Sequence, residues 1–236
     1  MPAILVTGAS RGLGLEFARQ YAAAGWRVWA CSRAEAPDLD ALAAAWPAVT
    51  LARLDVTRHA MIDQLAAALD GEAIDVLLNN AGVMGGSDFD AGGAAEQAFG
   101  HSDFAAWERA WRTNVVGPMK MAEAFVEHVA RSGQRRIITL SSMVGSNTLN
   151  TTGGLYGYRS SKAAVTAVMK SMAIDLLPRG ILAAAVHPGW VRTSMGGGKA
   201  PLDVAEAVAA VRRVIAGLTA QQAGQLLAWD GTILPY

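Results

Sequence analysis

The chain has 236 residues, which is enough for one α/β domain and leaves no room for a second domain of ordinary size. Hydrophobic residues make up 52% of the sequence and charged residues 17%, so a packed core is expected. The 20 Lys and Arg residues balance the 20 Asp and Glu residues without any block of like charge, which argues against a nucleic-acid or an anionic-membrane partner.

The single cysteine, Cys31, excludes a disulfide within the chain and a metal cluster of cysteines, and no other metal-ligand cluster is evident. The N-terminal residues lack the charged region and long apolar stretch of a signal peptide. No uncharged apolar run approaches the roughly 20 residues that a membrane span needs. We therefore expect a soluble, cytoplasmic protein without a metal.

Short apolar runs alternate along the chain with longer segments of helical period. This alternation favours a parallel, doubly wound sheet of about seven strands with helices on both faces, forming a single Rossmann-like α/β domain over residues 1–236. An irregular excursion is expected at residues 85–102, which are rich in Gly, Ala, Ser and Asp. The predicted strands cover residues 3–7, 27–31, 50–54, 74–78, 136–140, 182–186 and 225–229. The predicted helices cover residues 15–24, 58–70, 103–131, 158–177 and 203–217.

Ligands of such sheets bind beyond the carboxyl ends of the strands, and a glycine-rich segment follows the first strand. Residues 7–14 read TGASRGLG, with three glycines spaced G-x3-G-x-G. Glycines allow the backbone to approach a pyrophosphate, which the N-terminus of the next helix attracts. The segment predicts a dinucleotide site, and the alternative is a glycine-rich turn without a ligand.

Ser32 and Arg33 follow the second strand, where NAD-selective enzymes usually carry an acidic residue. The nearest acidic residue is Glu35. Arg33 and Arg11 suit a 2′-phosphate, because guanidinium groups bind phosphate well. We expect NADP(H) in preference to NAD(H), unless both arginines are ordinary surface residues.

Tyr158 and Lys162 lie four residues apart in a predicted helix and therefore share one face. A phenol has an ordinary pKa of about 10, and a nearby ammonium is expected to lower that pKa. Such a tyrosine can exchange a proton with a substrate. A surface pair without a role is the alternative. Tyr156 lacks a lysine partner, because Ser160 lies four residues after it.

Two serines follow the fifth strand, and they point to opposite sides of an extended chain. A hydroxyl here can donate to a substrate oxygen on which negative charge develops. The alternative is that Ser141 and Ser142 only cap a turn.

Six motifs at the ends of strands and in helices resemble, in order, the pattern of the short-chain dehydrogenase/reductase family. They are Thr7-Gly8-x3-Gly12-x-Gly14, residues 79–82 (NNAG), Asn114, Ser141-Ser142, Tyr158-x3-Lys162 and Pro188-Gly189. Residues 156–162, 187–191 and 230–232 resemble, more narrowly, the branch of sniffer-type carbonyl reductases and C-factor signalling proteins. The 16-residue interval from Ser142 to Tyr158 is longer than most of the family shows.

The resemblance implies an NADP(H)-dependent oxidoreductase that reduces an aldehyde or ketone to an alcohol. Tyr158 would be the general acid, and Lys162 would also hold the nicotinamide ribose. Ser142, the second serine of the pair, would bind the substrate oxygen. Asn114 would help to hold a water that links the lysine to solvent. The alternative is a nucleotide-binding signalling or regulatory protein of C-factor type with little turnover.

The remaining expectations concern cofactor, substrate and assembly. Relatives suggest a homodimer or homotetramer formed through the helices near residues 103–131 and 158–177. The cofactor residues implied are Gly8, Ser10, Arg11, Gly12, Leu13, Gly14, Ser32, Arg33, Asp55, Val56, Asn80, Ala81, Gly82, Tyr158, Lys162, Pro188, Gly189, Val191 and Thr193. Candidates for the substrate site, several of which are equally suited to the core, are Met143, Leu149, Leu155, Trp190 and Met195.

Overall fold

A computed structural model describes residues 1–86, 92–93 and 95–236. Its strands are β1 (Ala3–Thr7), β2 (Arg27–Ser32), β3 (Val49–Arg53), β4 (Val76–Asn79), β5 (Arg136–Leu140), β6 (Leu182–His187), β7 (Leu226–Ala228) and β8 (Ile233–Leu234). Its α-helices are α1 (Gly12–Ala23), α2 (Pro37–Ala45), α3 (His59–Ala68), α4 (Phe104–Trp111), α5 (Gly117–Ala130), α6 (Tyr156–Leu176) and α7 (Val204–Gly217).

The strands form one sheet in the order β3-β2-β1-β4-β5-β6-β7-β8. Each pair of neighbours is parallel except β7 and β8, which are antiparallel. The chain builds outward from β1 in one direction through β2 and β3, and in the other direction from β4 onward. This reversal places the loops after β1 and β4 side by side, where doubly wound sheets bind their ligands.

Both faces of the sheet are covered, which explains why its strands read as continuous apolar runs. Ile4 and Val6 of β1 belong to the cluster that packs against α1 and α7, together with Phe17. Leu5, between them, points into the opposite cluster, which includes Phe125 of α5. Successive side chains of a strand alternate between faces, so one apolar run supplies both clusters.

The predicted α/β class and doubly wound sheet are confirmed. The described residues form eight strands where about seven were expected, because the two-residue β8 is too short to give a periodic signal. The first helix begins at Gly12, inside the glycine-rich segment, and not at residue 15. The Ala-rich helix Pro37–Ala45 was not predicted.

The predicted long helix over residues 103–131 is divided into three parts. Between α4 and α5 lies a π-helical turn, Arg112–Val116, which includes the buried Asn114. π-Helical turns of this kind are frequent at functional sites. Within the expected excursion over residues 85–102, the structure has a 3₁₀ turn at Ala95–Gln97, while residues 87–91 and 94 lie outside the described residues.

Among the described residues, no helix has the length and apolar character required to cross a membrane. The cytoplasmic location stays a prediction.

Candidate active site

A cleft of about 340 Å³ lies at the carboxyl ends of the strands, between the loops that follow β1 and β4. Its wall contains 17 of the predicted residues, which are Gly8, Ser10, Arg11, Gly12, Leu13, Gly14, Arg33, Asp55, Val56, Asn80, Ala81, Gly82, Tyr158, Lys162, Pro188, Thr193 and Met195. The predicted dinucleotide loop and the predicted acid–base pair therefore face one space.

The glycine-rich loop has a shape that only glycine permits at two positions. Gly8 has a φ of +67°, and a Cβ on it would lie 2.8 Å from the Cα of Ala81. A Cβ on Gly14 would lie 2.2 Å from the carbonyl oxygen of Gly8. The Asn80 side chain fixes this packing, since its Nδ2 donates to the carbonyl oxygens of Thr7 at 2.8 Å and of Gly8 at 3.0 Å.

The N-terminus of α1 fits the pyrophosphate of a dinucleotide. Its N-cap residue, Arg11, makes no side-chain hydrogen bond to the helix, and the first turn contains no acidic residue. The first N–H groups of a helix need an acceptor, and the helix dipole favours an anion there. The residues present therefore fit an NAD(P) cofactor, which the loop after β1 would hold by its backbone.

Tyr158 and Lys162 also line the cleft, and Ser142 lies next to Tyr158. The phenol of Tyr158 is hydrogen-bonded to the Ser142 side chain. The Nζ atom of Lys162 lies 5.7 Å from the centroid of the Tyr158 ring and donates to the Leu140 carbonyl oxygen at 2.8 Å. The two residues of α6 thus share one face with a serine that follows β5.

The two adjacent serines have different environments. Ser141 Oγ is 2.9 Å from Thr166 Oγ1 and donates to the Lys162 carbonyl oxygen at 3.2 Å, so it attaches the loop after β5 to α6. Ser142 Oγ accepts from the Val144 N–H at 3.3 Å and also reaches Tyr158. Only Ser142 has its hydroxyl beside the phenol.

The expectation that Lys162 lowers the pKa of Tyr158 is wrong for this structure. Burial raises the pKa of Tyr158 to about 12, and the hydrogen bond with Ser142 offsets only part of that rise. Burial also lowers the pKa of Lys162 to about 8. Loss of solvation dominates the shift of the Tyr158 pKa, so at neutral pH the phenol keeps its proton.

Asn114 is held rigidly beside Lys162 by the loop after β4. Its Oδ1 accepts from the Val83 N–H at 2.9 Å, and its Nδ2 donates to the Val83 carbonyl oxygen at 2.8 Å and to Ser161 Oγ at 3.0 Å. A Cβ on Gly82 would lie 3.4 Å from Asn114 Oδ1 and 3.6 Å from Lys162 Nζ. The glycine therefore keeps a small space open between the amide and the ammonium.

Nine of the predicted residues belong to the described part of the chain but do not line the cleft. They are Ser32, Asn114, Ser142, Met143, Leu149, Leu155, Gly189, Trp190 and Val191. Val191 is buried, and Ser32 Oγ donates to the Ala34 carbonyl oxygen. Met143, Leu149 and Trp190 are about 40% exposed. Of the five candidate substrate residues, only Met195 lines this cleft, and the roles of all five stay predictions.

Several lining residues were not predicted, and most adjoin the ends of strands. They are Ala34, Glu35, Leu54, Val83, Thr113, Leu140, Ser141 and Ser194. The rule that ligands bind beyond strand ends would have found most of them. Thr113 enters through the π-helical turn, for which the sequence has no signal.

Comparison with known proteins agrees with this geometry. The sequence model of the short chain dehydrogenase family matches residues 2–201. C-signal of Myxococcus xanthus is 37% identical over 163 residues, which is 69% of this chain and 93% of that protein. The carbonyl reductase Sniffer of D. melanogaster has a TM-score of 0.89 at 31% identity, with all of both chains covered. An NADPH-bound carbonyl reductase from chicken fatty liver has a TM-score of 0.89 at 29% identity, with 100% of this chain and 99% of that chain covered. The chain is thus an NAD(P)-dependent oxidoreductase and belongs to the short chain dehydrogenase family.

Proposed function

We propose that the protein reduces an aldehyde or ketone to an alcohol with NADP(H), and that Tyr158 is the general acid. The observation that carries this proposal is the partly buried Tyr158 phenol, hydrogen-bonded to Ser142 and next to Lys162, on the wall that also includes the glycine-rich loop. A bound nicotinamide would supply the hydride, and the protein's residues bind, orient and handle the proton.

Tyr158 is suited to donate a proton. Because burial raises the pKa of its phenol to about 12, the group is protonated at neutral pH and has a proton to give. Ser142 lies beside the same oxygen, so its hydroxyl is positioned to donate to a substrate oxygen on which charge develops. The protonated phenol is the form that reduction requires.

Lys162 and Asn114 are assigned to reprotonation of the phenol and to ribose binding. Lys162 Nζ faces the small space above Gly82, and Asn114 Oδ1 borders the same space. A water held there would connect the ammonium to solvent. The hydrogen bonds that fix Asn114 to Val83 keep that acceptor in place.

The proposed preference for NADP(H) depends on two arginines near the predicted adenosine end of the cleft. Arg11 and Arg33 are exposed lining residues, and neither forms an ion pair within the part of the chain that the structure describes. Both guanidinium groups are therefore available to a 2′-phosphate. NADPH in the chicken reductase is consistent with this preference.

The test is NADPH oxidation with a panel of aldehydes, ketones and diketones. The Tyr158→Phe variant is expected to lower kcat/KM by about 10²–10⁴-fold, because it removes the general acid. Tyr156→Phe, which alters an exposed tyrosine two positions earlier, is the matched control. Full activity of the Tyr158→Phe variant would refute the proposed mechanism.

A second candidate is a regulatory nucleotide-binding role with little turnover. The 37% identity to C-signal supports it. Tight NADPH binding without turnover of any compound in the panel would favour this role over the reductase.

We also propose that the protein forms a homodimer or homotetramer. Phe104 and Trp111 of α4 are exposed at 74% and 40%, which gives this predicted contact region apolar side chains to bury. Size-exclusion chromatography with light scattering tests the proposal, and a monomer would contradict it.

A further inference from the structure

Gln97 connects the loop after β4 to the helix that carries Tyr158. Its side chain is 6% exposed. Its Oε1 accepts from the Tyr158 N–H at 3.0 Å, and its Nε2 donates to the Met84 carbonyl oxygen at 3.0 Å and to the Gly93 carbonyl oxygen at 3.5 Å. One amide thus joins the first turn of α6 to two points of the loop after β4.

The N-terminus of α6 has an unusual need for such a partner. Its N-cap residue, Leu155, has a left-handed backbone with a φ of +52° and provides no side-chain hydrogen bond. In most helices a Ser, Thr, Asp or Asn at the N-cap accepts from the N–H of the second or third helical residue. Tyr158 is the third residue of α6, and its N–H has Gln97, 61 positions away, as acceptor.

Gly157 shows how closely Gln97 is packed against α6. A Cβ on Gly157 would lie 3.3 Å from Gln97 Oε1 and 3.3 Å from Trp107 Cγ. The absence of a side chain therefore lets the amide and the indole approach the first turn. A side chain at position 157 would require the amide or the indole to shift, because a Cβ at 3.3 Å is closer than most Cβ contacts in proteins.

The Gln97 amide also binds the loop after β4, which forms another part of the cleft wall. Met84, whose carbonyl accepts from Gln97, follows Val83, and Val83 both lines the cleft and holds Asn114. Gln97 therefore links the Tyr158 backbone to the loop after β4, in addition to the bonds by which Asn114 joins Val83 to Ser161. Small displacements of a proton donor reduce rates strongly, because catalysis depends on near-attack geometry.

We propose that Gln97 is a positioning residue for the reaction, capping the helix of Tyr158 and fixing that residue relative to the loop that holds Asn114. This inference rests on the proposed carbonyl reduction. Gln97 is not assigned contact with substrate or cofactor, so its effect passes through Tyr158.

The test compares Gln97→Met with wild type, using NADPH and the carbonyl compound of the panel that is reduced fastest. Gln97→Met keeps the length of the side chain and removes all of its hydrogen bonds. We expect kcat to fall about tenfold or more through misplacement of Tyr158. The NADPH dissociation constant, measured by fluorescence, is expected to stay unchanged because Gln97 does not line the cleft.

Gln20→Met is the matched control. Gln20 Nε2 donates to the Ala205 carbonyl oxygen at 2.9 Å, so this variant removes a comparable bridge between α1 and α7, away from Tyr158. We expect it to retain wild-type kcat. A kcat for Gln97→Met equal to that of Gln20→Met, with wild type active and Tyr158→Phe impaired, would overturn the positioning role alone.

Two further variants separate positioning from folding. Gln97→Met combined with Tyr158→Phe is expected to be no slower than Tyr158→Phe, since residues acting through one group are not additive. Gln97→Glu keeps an acceptor for the Tyr158 N–H but loses the donor to the Met84 and Gly93 carbonyl oxygens, so it preserves the cap and not the link to the loop after β4. We expect its kcat to lie between those of wild type and Gln97→Met. Additive losses in the double variant would contradict the proposal. If wild type reduces no carbonyl compound, or Tyr158→Phe is fully active, the proposed function fails and this inference falls with it.

Discussion

The ammonium of Lys162 donates to the main-chain carbonyl of Leu140 across 2.8 Å, in a position where the lysine is only 5% exposed. Leu140 is the last residue of β5, so this hydrogen bond holds the Lys162 ammonium at the carboxyl edge of the sheet. Burial lowers the pKa of Lys162 to about 8. The site therefore contains a buried charge whose presence opposes folding.

Replacing Lys162 with Met is expected to raise the free energy of unfolding at neutral pH by about 1–3 kcal/mol, because a charged group is removed from an apolar environment. The same variant is expected to lose most of its reductase activity. Between pH 8 and 10.5 the folded protein binds fewer protons at Lys162 than the unfolded chain does, so this group makes wild-type stability rise with pH. The difference in free energy of unfolding between Lys162→Met and wild type should therefore become smaller as the pH rises from 8 to 10.5.

Urea unfolding at intervals from neutral pH to pH 10.5 measures this difference. Lys170→Met, on the same helix but away from the cleft, is the control for the loss of a lysine from α6. A Lys162→Met variant that is less stable than wild type at neutral pH would contradict the prediction.

Replacing Ser142 with Ala is expected to lower kcat/KM by about 10²–10³-fold, as for loss of an oxyanion donor. The hydrogen bond with Ser142 lowers the pKa of Tyr158, so its loss should raise that pKa further. Reduction needs the protonated phenol, and the alkaline limb of the pH–rate profile should therefore move to higher pH. Ser141→Ala, which breaks contacts with α6, is expected to lower stability without moving that limb.

Arg33→Asp is expected to change the ratio of kcat/KM for NADPH to that for NADH by about tenfold or more in favour of NADH, since a charge-assisted bond to the 2′-phosphate is lost. Glu35 also lines the cleft, two residues from Arg33, and would provide a second carboxylate there. Steady-state kinetics with both cofactors measure the ratio. Arg213→Asp, an exposed position on α7, provides the same charge change elsewhere. An unchanged ratio would remove Arg33 from the cofactor site.

Gly14→Ala is expected to weaken NADPH binding by about 100-fold or to prevent folding, because its Cβ would lie 2.2 Å from the Gly8 carbonyl oxygen and force the loop open. Gly217→Ala is the matched control, since nothing lies within 4 Å of a Cβ there. Replacing this helical glycine with Ala is expected to raise the free energy of unfolding by about 0.5–1 kcal/mol. Cofactor titration and thermal unfolding report both effects, and wild-type NADPH affinity in Gly14→Ala would exclude the expected clash.

The sequence predicts the sheet well because each strand is short, apolar and followed by a residue with recognisable chemistry. The glycine loop, Asn80, Tyr158 and Lys162 could be located because parallel strands bring their carboxyl ends to one edge. Spacing along a helix was enough to place Tyr158 and Lys162 on the same face.

Features that depend on packing across the molecule could not be predicted in this way. The two-residue β8 has no periodicity, and the pKa of Tyr158 depends on burial that spacing does not report. Gln97 reaches Tyr158 only after the loop beyond β4 folds back, and nothing in its local sequence distinguishes it from a surface glutamine.

The π-helical turn at Arg112–Val116 makes the number of residues in this segment matter as much as their identity. A π turn contains an extra residue relative to an α-helical turn, and each residue of a helix corresponds to a rotation of about 100°. Shortening the segment by one residue would swing α4 around its axis relative to α5. The face of α4 that packs against α6 would then turn away from that helix, which carries Tyr158, even though every side chain of the site is unchanged.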